Sequence, residues 1–253
     1  MADLQQQVQE TIDELVDSGA ERGLQAAVYQ NGEQIVDAVA GVADPETGRE
    51  VTSGTPFYAY SVGKAAASTI VHMLVERGLF GYETPVVEVW PEFGAHGKEA
   101  TTVRHVLTHT VGVPGIPADT TPEDLCDWDK MCAVIADSEP WWKPGEKMAY
   151  HAYTFGYIIG EIVRRATGKK ISQVLHEEIT EPLDIADELY FGMPVGEHGR
   201  LAVLEDEPGS AEFLASMPET RHSSRWDRGR RPRPPSSATA PTSSKPISPP
   251  GGS

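Results

Sequence analysis

The sequence predicts an α+β protein in which a small antiparallel sheet with flanking helices is joined to a mostly helical part. Three observations support this fold class. An amphipathic helix opens the chain, a β-hairpin follows it, and most later apolar residues recur at helical spacing. With 253 residues, of which 39% are hydrophobic, the chain is long enough to bury one large core or two small ones.

The N-terminal helix and the hairpin are predicted within the first 39 residues. Asp3–Val16 carries apolar side chains at helical spacing, and Ser18-Gly19 ends the pattern. Two apolar stretches, Leu24–Tyr29 and Gln34–Val39, then flank Asn31-Gly32. Because Asn and Gly accept the positive φ angles of a two-residue hairpin turn, we expect the two stretches to pair as antiparallel strands.

The remaining elements are predicted to be mostly helical. After a turn at Pro45–Gly48 and an aromatic run at Phe57–Tyr60, a helical pattern starts at Ser61 and stops at Gly78. Further helices are predicted at Val103–Thr108, Pro122–Ala136, Thr154–Ala166 and Ile171–Ile179.

Charge and hydropathy exclude several function classes. The net charge of −17 repels phosphate backbones and anionic lipids, so neither a nucleic acid nor a membrane is an expected partner. The N-terminus has no signal-peptide pattern, and no apolar stretch reaches 18 residues, which predicts a soluble, cytoplasmic protein. The spacing of Cys126 and Cys132 fits neither a redox pair nor a zinc site, so reduced thiols are expected.

Residues 221–253 differ in composition from the rest of the chain. They contain seven of the 21 basic and one of the 38 acidic residues, so residues 1–220 carry a net charge of −23. This Pro-, Ser- and Arg-rich segment has too few large apolar side chains to offset the entropy of folding. We therefore predict one domain over residues 1–220 and a disordered tail, either solvated or bound to an SH3-like or acidic partner. The abrupt change also fits an out-of-frame reading of a GC-rich gene, which the coding DNA would test.

Ser61-Val62-Gly63-Lys64 is the first candidate for chemistry. Residues three apart on a helix share a face, so the Lys64 amine can approach the Ser61 hydroxyl. A serine hydroxyl is a weak nucleophile, and a lysine whose ammonium form is disfavoured can act as its base. By itself the pattern is weak, because a chain of this length contains roughly one Ser-x-x-Lys by chance. The alternative is a helix-capping serine followed by a solvated lysine.

The surrounding segments make the pattern more specific. Around the Ser-x-x-Lys pattern the sequence contains, in order, Phe57–Tyr60, Thr102–Thr110, Pro144-Gly145, Tyr150-His151-Ala152 and Gly156–Glu161. In the order and spacing of these segments, the chain resembles the serine β-lactamase-like family over about residues 8–220. The resemblance is to class C β-lactamases and family VIII carboxylesterases in particular.

The resemblance implies a role for each residue of the candidate site. Ser61 would be the acylated nucleophile, Lys64 would share its proton, and Tyr150 would be the general base or proton relay. An ordinary half-buried aromatic is the alternative for Tyr150. The resemblance also implies a small-molecule ester as substrate and a reaction without a cofactor or metal; the oligomeric state stays open.

The sequence departs from the family pattern in two places. Ala152 stands where the lactamase branch has an asparagine that binds the substrate's amide, which favours esters over β-lactams. The third motif, Lys-Thr-Gly or His-x-Gly, has no counterpart after Tyr150. We therefore expect residues 1–220 to form an incomplete β-lactamase-like domain that lacks its C-terminal strands, and we expect the 253-residue chain to have little or no activity. Trp142 is predicted to line a substrate pocket, with packing under a loop as the alternative.

Other interpretations remain open at this point. The chain is a serine carboxylesterase, a β-lactamase or peptidase of the same family, a non-catalytic remnant, or an acidic binding module with a Pro-rich tail. His105 and His109 are four apart, but no glutamate follows His105 as in His-Glu-x-x-His. Histidines on a helix surface are therefore favoured over a metal site.

Overall fold

The structure is a computed structural model and describes residues 3–205. The predicted tail over residues 221–253 and the end of the predicted domain lie outside the described residues. The fold is α+β, as predicted, with a small antiparallel sheet beside a helical layer. Within residues 3–205, no helix is both long enough and apolar enough to cross a lipid bilayer.

Within residues 3–205, the sheet layer consists of one helix and three strands. They are α1 (Leu4–Asp17), β1 (Gly23–Gln30), β2 (Glu33–Asp44) and the short β3 (Arg49–Glu50). The strands are antiparallel neighbours in the order β1-β2-β3. The predicted hairpin is confirmed, and its turn has φ angles of 53° at Asn31 and 83° at Gly32. These positive angles are the ones that the Asn-Gly pair accepts at low cost.

Helix α1 packs on the hairpin through its apolar face. Ile12 of α1 is buried against Val36, Ala38 and Ala40, which alternate along β2 and therefore share one face of the sheet. The small alanine side chains let the helix lie close to the strand. This layer is thin, and its outer strand β1 is largely exposed.

In the described part of the chain, the helical layer contains six helices and holds the main core. The helices are α2 (Gly63–Glu76), α3 (Val103–Leu107), α4 (Pro122–Cys126), α5 (Trp128–Ala136), α6 (Thr154–Thr167) and α7 (Ile171–Leu175). Shorter 3-10 turns cover Tyr60–Val62, Val86–Glu88, Pro91–Gly97 and Val195–Arg200, and a π-helical turn covers His176–Thr180. Fully buried side chains from these elements meet around α6, among them Ile70, Phe93, Val106, Ile135, Ile158, Ile159 and Ile162.

Three helix predictions need correction. The single helix predicted at Pro122–Ala136 is wrong, because Asp127 has extended backbone and divides it into α4 and α5. The Asp127 carboxylate accepts the backbone N–H of Lys130 at 3.0 Å and so caps α5. Helix α2 begins at Gly63 rather than at Ser61, and α7 ends at Leu175 before the wider π-helical turn.

A buried carboxylate ties α6 to α5. Glu161 has no exposed surface, yet it receives hydrogen bonds from the guanidinium groups of Arg164 and Arg165 and from the indole N–H of Trp128. Burial opposes ionisation, but these donors outweigh it and lower the pKa of Glu161 to about 2. Glu161 therefore stays ionised at neutral pH and holds α6, the helix that follows Tyr150 in the chain, against α5.

Candidate active site

Ser61 is exposed in a short turn at the start of α2. The 3-10 turn Tyr60–Val62 leads directly into the helix at Gly63. Tyr60, the residue before Ser61, has a φ angle of 42°, which is unusual for a bulky side chain. Backbone strain of this kind is concentrated at functional sites in proteins.

The Lys64 amine connects Ser61 to the far side of the site. Its Nζ atom donates to the Ser61 Oγ atom at 3.0 Å and to the Ala152 carbonyl oxygen at 2.9 Å. The same atom lies 4.9 Å from the centre of the Tyr150 ring. The predicted contact between Ser61 and Lys64 is therefore present. The second acceptor of the amine, the Ala152 carbonyl, comes from a segment 88 residues later in the chain.

Tyr150 reaches Ser61 and Lys64 with its phenol group. Hydrogen bonds with Ser61 and then with Lys64, together with the positive charge of Lys64, lower the pKa of Tyr150, although some burial opposes the shift. The side chain is 54% exposed. The phenol is thus easier to ionise than that of an ordinary tyrosine and remains accessible to a small molecule.

Two loops hold Tyr150 in place. We call residues 141–151 the tyrosine loop and residues 109–113 the supporting loop. The backbone N–H groups of Trp141, Gly145 and Ala149 donate to the carbonyls of Gly112, Thr110 and His109 at 2.7, 2.9 and 3.2 Å. The tyrosine loop is therefore attached to the supporting loop at three points along its length.

Gly112 allows the two loops to approach closely. Its φ angle is 91°, and a Cβ atom at this position would lie 2.5 Å from the Trp142 carbonyl oxygen. Any side chain would therefore meet backbone that cannot move without opening the contact. The supporting loop requires a glycine here for both its conformation and its packing.

Two histidines link the loops through their rings. His151 is buried: its Nε2 atom accepts the Val113 N–H at 3.2 Å, and its Nδ1 atom lies 2.6 Å from the Ala149 carbonyl oxygen. Burial lowers the pKa of His151 to about 4, with His109 adding to the shift. His151 is therefore neutral at neutral pH with its proton on Nδ1. Burial and then the charge of Lys64 also lower the pKa of His109, whose Nδ1 atom accepts the His151 N–H at 3.1 Å.

Comparison of the whole sequence with known protein families adds evidence of a different kind. Residues 8–226 match the family described as Beta-lactamase. The chain belongs to the beta-lactamase family.

Three individual relatives extend the comparison. "Esterase/beta-lactamase LipL" of Mycobacterium tuberculosis is 39% identical over 168 residues, which are 66% of this chain and 38% of that protein. The crystal structure of a family VIII carboxylesterase is 35% identical with a TM-score of 0.75, covering 90% of this chain and 63% of that one. A penicillin-binding protein homologue from Caulobacter crescentus is 36% identical with a TM-score of 0.73, covering 79% and 53%. The chain thus spans between 38% and 63% of the length of these proteins.

Two further residues were predicted for the candidate site, Ala152 and Trp142. Ala152 offers its main-chain carbonyl to Lys64, while its methyl group is exposed. Trp142 is half-buried: its indole N–H points to the Thr110 carbonyl at 3.4 Å, and its ring meets His151 edge-on. Trp141 is the more exposed of the two. Contact of Ala152 or Trp142 with a substrate stays a prediction.

Sequence reasoning missed the part played by the histidines. The interpretation of His109 as a helix-surface residue is wrong, because α3 ends at Leu107 and the His109 ring packs between Tyr150 and Phe155. His105 instead caps α3, where its Nδ1 atom accepts the Thr102 N–H. Across residues 3–205, no group of three or more His, Cys, Asp or Glu side chains is placed to bind a metal ion. The signal for His109 and His151 was their position in two of the segments that carried the family resemblance.

Proposed function

We propose that this chain is a serine hydrolase that acts on carboxylic esters through an acyl-enzyme on Ser61. One observation carries the proposal: the Lys64 Nζ atom lies 3.0 Å from the Ser61 Oγ atom and 4.9 Å from the centre of the Tyr150 ring. Interaction with Ser61 and Lys64 also lowers the pKa of the Tyr150 phenol. A nucleophile beside two groups that can exchange its proton is the arrangement that acyl transfer needs.

The donors around Lys64 indicate which group accepts the proton of Ser61. A lysine ammonium has three N–H donors and no acceptor. The Lys64 amine donates to Ser61 and to the Ala152 carbonyl, and its Nζ atom lies 4.9 Å from the centre of the Tyr150 ring. In this proposal the amine places positive charge beside the Ser61 and Tyr150 oxygens, and Tyr150, whose phenol pKa is lowered, acts as the base.

Acylation then proceeds in balanced steps. The Ser61 Oγ atom bonds to the ester carbonyl carbon while its proton moves to the Tyr150 oxygen. The carbon–oxygen bond to the alcohol breaks, and the leaving alcohol takes the proton from Tyr150. The product of this half-reaction is acyl-Ser61 with the alcohol released.

Water reverses the same proton path in the second half-reaction. Tyr150 takes a proton from a water molecule as the water oxygen attacks the acyl carbon. The bond to Ser61 breaks, Oγ recovers the proton, and the carboxylic acid leaves. The Lys64 amine stays beside Ser61 throughout both half-reactions.

Two observations favour esters as the substrate class. The Ala152 side chain cannot exchange a hydrogen bond with the side-chain amide of a β-lactam, whereas an ester needs no such partner. Esterase is also part of the names of two related proteins, LipL and the EstB of Burkholderia gladioli, which is 30% identical over 183 residues. Cleavage of β-lactams is the second candidate, because LipL is also named a beta-lactamase.

Covalent labelling tests the proposal with one reaction per molecule. The purified chain is incubated with a fluorophosphonate, and intact mass and peptide mapping locate the adduct. We expect one adduct on Ser61, none in Ser61→Ala, and an unchanged adduct in the control Ser68→Ala, which alters another serine of α2. Equal labelling of Ser61→Ala and the parent chain would contradict the assignment.

Turnover assays then separate the remaining alternatives. A burst of p-nitrophenol from a short p-nitrophenyl ester, faster than cephalosporin cleavage, supports the ester proposal. Faster cephalosporin cleavage supports the second candidate. A folded chain that forms no adduct and hydrolyses neither compound is a non-catalytic member of the family.

A further inference from the structure

His109 contacts the tyrosine loop on both sides of Tyr150. Its carbonyl oxygen accepts the N–H of Ala149 at 3.2 Å, and its ring Nδ1 atom accepts the N–H of His151 at 3.1 Å. The residue before Tyr150 and the residue after it are thus bonded to the same histidine. The ring also lies 5.0 Å from the Tyr150 ring, centre to centre.

The backbone of His109 has the conformation that this double contact requires. Its φ angle is 57°, in the left-handed region that His, Asn and Asp adopt more often than other side chains. The chain leaves α3 at this point and enters the supporting loop. His109 therefore has a strained backbone and also joins the two loops. The hydrogen bonds that this conformation allows compensate for the strain.

We infer that His109 is a positioning residue for Tyr150: the two hydrogen bonds that it accepts fix the backbone on either side of the phenol. The inference rests on the proposed function for its relevance to catalysis. The geometry itself depends on residues of three elements, namely the supporting loop, the tyrosine loop and α6.

The surroundings of His109 favour the neutral ring that this role needs. Lys64 faces it from α2, Tyr150 and His151 face it from the tyrosine loop, and the apolar Phe155 packs on it from α6. A proton on Nδ1 would remove the acceptor for the His151 N–H and add a second positive charge near Lys64. Burial and Lys64 keep the pKa of His109 below its ordinary value, so the acceptor is available at neutral pH.

Two variants separate the acceptor from the ring. His109→Asn places an amide oxygen near the position of Nδ1 and tolerates the left-handed backbone, but it removes the ring. His109→Phe keeps a ring and removes the acceptor. His96→Phe is the matched control, since His96 has a φ angle of 59° in another element, the 3-10 turn Pro91–Gly97.

The readout is the ionisation of Tyr150 itself, which requires no substrate. The chain is labelled with 13C at the tyrosine ζ carbon, Tyr150→Phe assigns the signal, and a pH titration gives the pKa of the phenol. We expect His109→Phe to raise the pKa of Tyr150 towards its ordinary value of about 10. His109→Asn and His96→Phe should leave it at the parent value. The rate of Ser61 labelling by the fluorophosphonate should fall about tenfold in His109→Phe and less than about threefold in His109→Asn.

The outcomes distinguish this inference from the proposed function. If the Tyr150 titration is the same in the parent and in a folded His109→Phe, or if His109→Asn fails to keep the parent value, the positioning role is excluded. Should His109→Phe not fold, as judged by near-UV circular dichroism, His109→Gly takes its place, because glycine also lacks the side-chain acceptor but adopts the left-handed backbone, and it should raise the pKa of Tyr150 in the same way. If the parent Ser61 takes up no probe, the proposed function fails, while the titration still gives the answer for His109.

Discussion

The serine side and the tyrosine side of the site are built by different kinds of contact. Ser61 and Lys64 are three residues apart and meet where the 3-10 turn Tyr60–Val62 runs into α2, so one short segment positions both. Tyr150 is positioned by backbone hydrogen bonds between two loops. One of them joins His151 to the ring of His109, which lies 42 residues earlier in the chain. A change on the serine side is therefore expected to alter chemistry alone, whereas a change on the tyrosine side alters stability and chemistry together.

Removing the Lys64 amine should have the largest effect on chemistry. Lys64→Met keeps most of the side-chain volume but removes the amine that lies 3.0 Å from the Ser61 hydroxyl. In the parent chain this amine helps to lower the pKa of Tyr150. We expect the rate of Ser61 labelling to fall about 10²- to 10⁴-fold, with little change in thermal stability. Lys130→Met, which removes a surface lysine paired with Asp124, is the control and should label at the parent rate. Loss of less than threefold in Lys64→Met would exclude a direct role for the amine.

The contact between the two loops can be tested at Gly112. Gly112→Ala adds a Cβ atom 2.5 Å from the Trp142 carbonyl oxygen at a φ angle of 91°. We expect a loss of about 3 kcal/mol in the free energy of unfolding, measured by urea denaturation, and slower labelling of Ser61.

Gly32→Ala provides the matched control for Gly112. Gly32 has a similar φ angle of 83°, but a Cβ atom there would meet no other atom within 4 Å. The expected loss is about 1 kcal/mol from backbone strain, with no effect on labelling. Equal losses in both variants would show that close packing of the loops contributes nothing beyond strain.

The buried His151 should make the tyrosine side sensitive to acid. Its pKa is about 4 in the folded chain and 6.5 in a solvated histidine, so between these values the unfolded state binds more protons. Stability should therefore decrease as the pH falls from 6.5 to 4, with a contribution on the order of 2 kcal/mol from this residue.

A neutral substitute isolates this contribution from that of the carboxylates. His151→Gln retains groups that can accept the Val113 N–H and donate to the Ala149 carbonyl, but it takes up no proton. Urea denaturation across the same pH range should show a smaller decrease in stability for the variant than for the parent chain. Identical pH dependence in both would place the acid sensitivity elsewhere.

The two sides of the site also differed in how well the sequence predicted them. The hairpin at Asn31-Gly32, the helix after Ser61 and the pairing of Lys64 with Ser61 follow from local rules of turn chemistry and helical spacing. The division of the predicted helix at Asp127 was missed because apolar spacing continues across it, and a single capping side chain decides the break.

The supporting role of His109 could not be read from local spacing. Its four-residue separation from His105 fits a continuing helix, and only the positive φ angle after α3 turns the ring towards Tyr150. That angle is stabilised by bonds to residues about forty positions later, which no local pattern contains. Order and spacing of several segments, rather than any one of them, brought Tyr150 into the predicted site.

The smallest expected effect concerns substrate choice at Ala152, where the two sides meet. Its carbonyl accepts the Lys64 amine, so Ala152→Asn keeps this bond and adds only a side-chain amide at an exposed edge. An amide can exchange hydrogen bonds with the side chain of a β-lactam, while an ester gains nothing from it. We expect the rate of cephalosporin acylation, relative to that of a p-nitrophenyl ester, to rise by up to about tenfold. Ala133→Asn, at an exposed alanine of α5, should leave the ratio unchanged. A ratio that also stays constant in Ala152→Asn would show that recognition of the acyl group lies away from this edge, and that the preference for esters has another origin.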